Sequence, residues 1–511
     1  MNLKKRETIN IMETKKFQYS EKLFLYVIFA IVVLVNILFV FEHTMWRDEA
    51  QAWLIARDTS FTPNSLFKVT SYEGHPFLWF FILMPFAKLG LPAVTVKYIS
   101  AACMIAAAYI FIVKTELPLF IKIISVCSPM FFYEYWGAGR SYSLAALFMV
   151  VLIMIYDVRN EKPILYGTVL ALLLQTLVIY GGFVFGCSLC WAIEIIKAIP
   201  KQDKSKTRGQ IIGLSIVFIS ALLLLWEFRY VGSAISSQEN VVSAGLSNKI
   251  QTLIYTGLVC CNNIFGEYYV LFIFAILFIG VGLVILTHDI EFLVVSVTGI
   301  IWQVWIYAFV YPHVSSNRLI SWIYILIFLF GLLRKYEKPQ LISNRVKIDT
   351  VFWTIAGIMI FMTARFQNMN ALEEFNPEKT FSTSKEIAAV LNTLPSDSVI
   401  FISSSDYDSA VVAQIDNNHK IWSPFTSKEA SFVLRDPQEE EILDYDQFID
   451  VARSIAGNNK EVYLISQLDD TDCIAGLVEK SFEEDGSIER YYCSEKSPIS
   501  GEYFYILKVY L

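Results

Sequence analysis

Residues 22–41 read KLFLYVIFAIVVLVNILFVF, and residues 43–57 follow as HTMWRDEAQAWLIAR. The first stretch is 20 residues long and almost wholly apolar, which is the length a helix needs to cross a bilayer core of roughly 30 Å. It is too long for the apolar core of a secretory signal, and no small-residue cleavage site intervenes before Trp46 and Arg47. Similar apolar runs recur near 93–113, 117–134, 141–156, 163–179, 182–198, 210–227, 268–287, 291–310, 319–333 and 350–366. The expectation is therefore a polytopic α-helical membrane protein with about eleven spans. Two further runs stay ambiguous. Residues 77–89 are too short and contain Pro85, and residues 250–265 carry Gln251, Asn262 and Asn263.

Composition agrees. The 511 residues are 55% hydrophobic, 15% aromatic and only 17% charged, against about 25% charged in soluble domains. This excludes a soluble enzyme and a disordered chain, and no basic patch invites nucleic acid. The net charge of −7 hides a division. Residues 371–511 hold 27 acidic and 11 basic side chains, and residues 1–370 hold 21 acidic and 30 basic. The expected domains are a membrane module over 1–370 and a soluble domain over 371–511.

Basic residues mark cytoplasmic loops. They cluster at Lys4–Lys16, at Lys197–Arg208 and at Arg334–Lys347. All three fall on one side if 77–89 and 250–265 lie at the interface without crossing. The N-terminus is then cytoplasmic. The loop 42–91, the turn 311–318 and the C-terminal domain are extracytoplasmic.

That outer face collects the chemistry. Asp48 and Glu49 follow Trp46 and Arg47; Asp48 also reads as a helix N-cap, with Gln51 completing a capping box. Tyr72-Glu73-Gly74-His75-Pro76 marks a turn ahead of an aromatic helix. Glu134 and Arg140 flank an aromatic cluster where they would pair as a simple anchor, and Tyr142 follows. Arg318 opens a helix, where the positive dipole end disfavours a cation unless it meets an anion.

In this order the motifs resemble the GT-C membrane glycosyltransferases, and most nearly the bacterial relatives of the dolichyl-phosphate-mannose protein mannosyltransferases. The elements that carry the resemblance are Asp48-Glu49 in the first outer loop, His75-Pro76 before an aromatic-aliphatic helix, Arg140-Ser141-Tyr142-Ser143-Leu144, and the late Arg318. The likeness is densest from Lys22 to Tyr156, thins toward Arg334 and does not extend to the C-terminal domain. It departs from the pattern where Phe77 stands in place of a second proline and where the loop after the sixth helix is short and basic.

The resemblance implies transfer of a sugar from a polyprenyl-phosphate donor to an acceptor in a protein, a lipid or a cell-envelope glycan, among membrane lipids. It assigns Asp48 as base and Glu49 as the residue that orients Asp48 or the acceptor. His75, Arg140 and Arg318 would hold the phosphate, with Tyr72 and Tyr142 lining the pocket. It calls for no cofactor; a divalent ion on Asp48 and Glu49 stays open but has no motif behind it. The competing readings are a lipid or sugar transporter or flippase, and a non-catalytic relative that binds carrier lipid.

The C-terminal domain reads as α/β, with helices at 384–394 and 446–456 and strands at 398–403, 461–466 and 502–510. Asp406 and Asp408 follow the first strand and read as a solvated loop. Cys473 and Cys493 form either a disulfide or two free thiols.

Overall fold

A computed structural model describes residues 2–201, 203–230, 246–271, 273–274, 290–311, 314–332, 354–355, 357–361 and 380–511, apart from 404–407, 417–418, 426, 431, 434–442, 468–473, 476, 482–485 and 499–500. Helices dominate up to residue 332. In chain order they are α1 (Asn2–Glu42), α2 (Arg47–Asp58), α3 (Leu66–Glu73), α4 (Leu78–Lys88), α5 (Thr95–Tyr109), α6 (Leu119–Val126), α7 (Glu134–Gly137), α8 (Tyr142–Ile155) and α9 (Pro163–Leu174). After these come α10 (Gly181–Ala198), α11 (Lys204–Glu227), α12 (Leu246–Phe265), α13 (Glu291–Phe309) and α14 (Ser316–Leu332).

Among the described residues, five helical stretches are long and apolar enough to cross a membrane: Ser20–Glu42, Thr95–Lys114, Val178–Ala198, Lys204–Glu227 and Glu291–Phe309. Apolar helices at Leu78–Lys88, Tyr142–Val158, Pro163–Leu174 and Arg318–Leu329 are shorter. The runs at 268–287 and 350–366 lie largely outside the described residues.

The run 117–134 is not one helix. The helix α6 spans only Leu119–Val126, and the chain then turns before α7. Pro129 is the cause: it disfavours helical geometry at Ser128 and has no N–H to donate. The Ser128 hydroxyl closes the turn on the Ser125 carbonyl at 2.7 Å. The two ambiguous runs are both single helices. The helix α4 has 11 residues around Pro85. The helix α12 buries Thr256, Cys260 and Ile264 and exposes the apolar side chains of Ile250, Ile254 and Leu258.

Helices pack closely where glycine permits. A Cβ on Gly167 of α9 would strike the Gly213 carbonyl of α11, and one on Gly213 would meet the Pro163 carbonyl oxygen at 2.5 Å. In the same way Gly182 and Gly186 of α10 bring that helix onto Thr298 of α13. Both pairs, Gly209/Gly213 and Gly182/Gly186, have the small-xxx-small spacing that lets backbones approach. Below them, away from the first loop, a polar knot ties the helices. Arg159 donates to Glu194 at 2.8 Å, Asn160 donates to the other oxygen of Glu194 at 2.8 Å, and Gln210 donates to Asn160 at 2.7 Å.

The C-terminal domain is a six-stranded mixed sheet in the order β3-β2-β1-β5-β8-β7. Its strands are β1 (Ile400–Ile402), β2 (Ile421–Ser423), β3 (Lys428–Glu429), β5 (Glu461–Gln467), β7 (Ile488–Cys493) and β8 (Phe504–Tyr510), while β4 (Leu443–Asp444) and β6 (Ile474–Ala475) form a separate pair. The strands β2, β1 and β5 run parallel, and β8 joins β5 antiparallel. Its helices are α15 (Ser384–Leu391), α16 (Asp408–Val412), α17 (Tyr445–Ala456) and α18 (Leu477–Ser481). Strand alternation divides the core. Ile400, Ile402 and Ile465 pack with α15 and α16 on one face, and Phe401, Val462 and Leu464 pack with α17 on the other.

Asp444 and Gln447 close a capping box on α17. Asp408 is not in a solvated loop: it opens α16 and is fully buried. Asp406 and Cys473 lie outside the described residues, and Cys493 is an exposed free thiol.

Candidate functional site

The site begins with α2. The expected N-cap is displaced: the helix starts at Arg47, Trp46 stands at the cap position, and Asp48 falls in the first turn. The positive end of the helix favours a carboxylate there without a capping bond. Gln51, expected to close the capping box, instead donates to Glu73 at 2.8 Å and to the Val433 carbonyl at 2.6 Å.

The chain between α6 and α8 carries Arg140 to the same place. Tyr133 adopts a left-handed backbone, φ 66°, which costs a non-glycine residue about 1–3 kcal/mol. Asn36, 1% exposed within the apolar run of α1, holds this turn: its Oδ1 accepts from the Tyr133 N–H at 2.7 Å, and its Nδ2 donates to the Phe131 carbonyl at 3.2 Å. Gly139 then passes against Val96, where a Cβ would approach a methyl carbon to 2.7 Å.

Arg140 emerges half-buried. One guanidinium nitrogen donates to Asp48 Oδ2 at 2.6 Å, and the other lies 3.2 Å from His75 Nε2. The guanidinium carbon sits 5.3 Å from the centre of the Tyr142 ring. Arg318 reaches that tyrosine from α14, its Nε donating to the hydroxyl at 3.3 Å. The ring of Tyr142 stacks on Tyr135 at 5.3 Å and 14°, and Tyr135 stacks in turn near Tyr324. Asp48, His75, Arg140, Tyr142 and Arg318 therefore form one connected group, although 270 positions separate the first from the last. The cation of the Glu134–Arg140 cluster thus reaches across to Asp48.

Glu49 faces the other way. It is 2% exposed, and its Oε1 lies 2.9 Å from His43 Nε2. His43 is held in turn: Phe381 packs on its ring at 4.7 Å, and Lys97 donates to its carbonyl at 2.5 Å. A carboxylate so enclosed anchors α2 on His43. Tyr72 lies on the last turn of α3, three residues before His75, with Lys68 Nζ 5.9 Å from its ring centre. A second buried carboxylate, Glu227 at the end of α11, accepts from Thr70 of α3 at 2.6 Å and ties that helix to the bundle.

Sequence reading passed over Asn36, His43, Gln51 and Glu227 as site supports. Asn36 and Glu227 carried a signal, each a polar group in or ending an apolar run. Gln51 carried none, since its partner Val433 is 382 residues away.

The group combines one carboxylate, two guanidinium groups, an imidazole and a phenol in one part-buried cluster. Such a set can hold an anion on its cations while the carboxylate accepts a proton. Among the described residues, no three His, Cys, Asp or Glu side chains are placed to hold a metal ion. Comparison with protein-family models, with curated proteins and with solved structures finds no match for this chain.

Proposed function

We propose that the protein is an integral-membrane glycosyltransferase of the GT-C kind, with about eleven spans, that moves a sugar from a polyprenyl-phosphate donor to an acceptor on the extracytoplasmic face. One observation carries the reading: Asp48, His75, Arg140 and Arg318, chosen on motifs scattered over the chain, meet in one cluster around Tyr142. The apolar exterior supports the membrane setting, with Leu34, Phe185, Phe218 and Leu225 each at least 60% exposed on the long helices.

In this reading Asp48 takes the proton of an acceptor hydroxyl, which is a poor nucleophile at neutral pH. The acceptor oxygen bonds to the anomeric carbon as the bond from that carbon to the phosphate oxygen breaks. The electron pair leaves with the carrier phosphate, and the anomeric centre inverts in a single displacement. Arg140, His75 and Arg318 stabilise the charge that gathers on the leaving phosphate.

The test is carrier release. Purified full-length protein is incubated with radiolabelled polyprenyl-phosphate hexoses and a membrane extract as acceptor source. Free carrier phosphate and labelled acceptor should appear with wild type and be absent with Asp48→Asn. Equal turnover by both proteins would remove the assignment. Movement of intact lipid-linked sugar between leaflets without release would favour the flippase reading.

A further inference from the structure

We infer that the C-terminal domain is a working part of the transferase, clamping α2 so that Asp48 points at Arg140, with Gln51 as the positioning residue; the inference rests on the transferase reading above.

Four contacts converge on one short helix and its entry. The Gln51 amide binds Val433 twice: its nitrogen donates to the Val433 carbonyl at 2.6 Å, and its oxygen accepts from the Val433 N–H at 3.0 Å. The Ser409 hydroxyl of α16 donates to the carbonyl of Arg47, one residue before Asp48, at 3.3 Å. The Ser384 hydroxyl of α15 donates to the Met45 carbonyl at 3.2 Å. Phe381 packs on the rings of His43 and Trp46 at 4.7 and 5.9 Å. Apolar packing runs the same way. Leu54 of α2 is counted in the core of the sheet domain, and Ala410 of α16 in the core around α2 and α4.

The physical consequence follows from the size of α2. It has 12 residues, and a helix of that length is marginal without tertiary support. Its entry carries no side-chain cap. A paired amide fixes both the rotation of the helix and its position along its axis, because each of the two bonds constrains a different direction. Gln51 lies three residues from Asp48, so the two side chains leave neighbouring faces of the helix. Rotation about the clamp therefore swings Asp48 directly. A displacement of about 1 Å at a reacting group costs on the order of 100-fold in rate. A domain that served only for solubility or display would not place two contacts on the helix that carries the base and two on its entry.

The experiment uses full-length wild type, Gln51→Leu and, as a control on the far edge strand, Glu489→Gln. Each is assayed with the polyprenyl-phosphate hexose that wild type turns over best, and each is examined by hydrogen–deuterium exchange. For Gln51→Leu the expected result is a kcat at least 10-fold lower, an unchanged KM for donor, a thermal midpoint lowered by a few degrees through the unpaired Val433 groups, and exchange across 47–58 at least 10-fold faster while α8 and α9 stay as in wild type. Glu489→Gln should match wild type throughout. The inference is overturned if Gln51→Leu keeps the wild-type kcat, whether exchange rises or not, or if its only change is a lower thermal midpoint. If wild type itself releases no carrier, the transferase reading falls, and the exchange result alone decides whether the domain clamps α2.

Discussion

Arg140 is the residue on which the cluster turns. It serves a carboxylate and an imidazole at once, at 2.6 and 3.2 Å, through different nitrogens of one rigid fork. A lysine offers a single point charge and cannot span both partners. Arg140→Lys should therefore lower carrier release at least 10-fold in the same assay, although the charge is kept. Asp48→Asn should lower it at least 100-fold while leaving the thermal midpoint within a degree or two, because Asp48 stands in the first turn and not at the cap position of α2, and an asparagine oxygen there still accepts from Arg140. A large fall in midpoint for Asp48→Asn would mark the residue as a support for the helix and not as the base. Asn36 is a different kind of residue, with three bonds to backbone at 1% exposure and no contact with chemistry. Its replacement by leucine leaves the Tyr133 N–H without its acceptor, and an unsatisfied buried group costs about 1–3 kcal/mol.

At the scale of elements, the bundle depends on two glycine contacts that hydropathy does not reveal. An alanine at Gly213 would bring its Cβ to 2.5 Å from the Pro163 carbonyl oxygen and to 2.8 Å from the Trp191 ring. Backbone cannot yield cheaply, so α9 and α11 must separate, and overpacking of this kind costs about 1–3 kcal/mol. Gly257 in α12 is the matched control, since its nearest neighbour would be Val304 at 3.8 Å. There alanine removes only the helix penalty of glycine, worth up to about 1 kcal/mol. Thermal unfolding in detergent should show Gly213→Ala less stable and Gly257→Ala equal or more stable. The reverse order would mean that the α9–α11 contact is looser than the structure has it. The same glycines show why element reading stops short. An apolar run predicts a helix but not its neighbour, and spacing of Gly182/Gly186 or Gly209/Gly213 names a close face without saying which helix fills it.

For the whole molecule, legibility follows the range of the forces involved. The apolar runs of α1, α5, α10, α11 and α13 could be read because bilayer thickness acts on each segment alone. The buried strands β1, β5 and β8 could be read because each is a local apolar run, whereas β7 exposes Glu489 and Arg490 and shows little pattern. Asp48, His75 and the arginines of the cluster could be named from motifs, but their meeting could not, because it depends on the turn at Pro129 and on packing between segments up to 270 positions apart. The return of residues 380–433 to α2 has a consequence for sidedness. The domain is bonded to the loop that carries Asp48, so both must lie on one side of the membrane. In the proposed topology the three basic clusters of the helical part lie in the cytoplasm, on the opposite side. Cys493 is an exposed thiol on β7 and reports the outcome. A membrane-impermeant maleimide added to intact cells should modify it, and Cys493→Ser should lose one label per chain by mass. Modification of Cys493 only after the membrane is opened would invert the proposed topology and move the Asp48 cluster to the cytoplasmic face with it. Both positions must change together, since the clamp on α2 leaves no room for one to cross without the other.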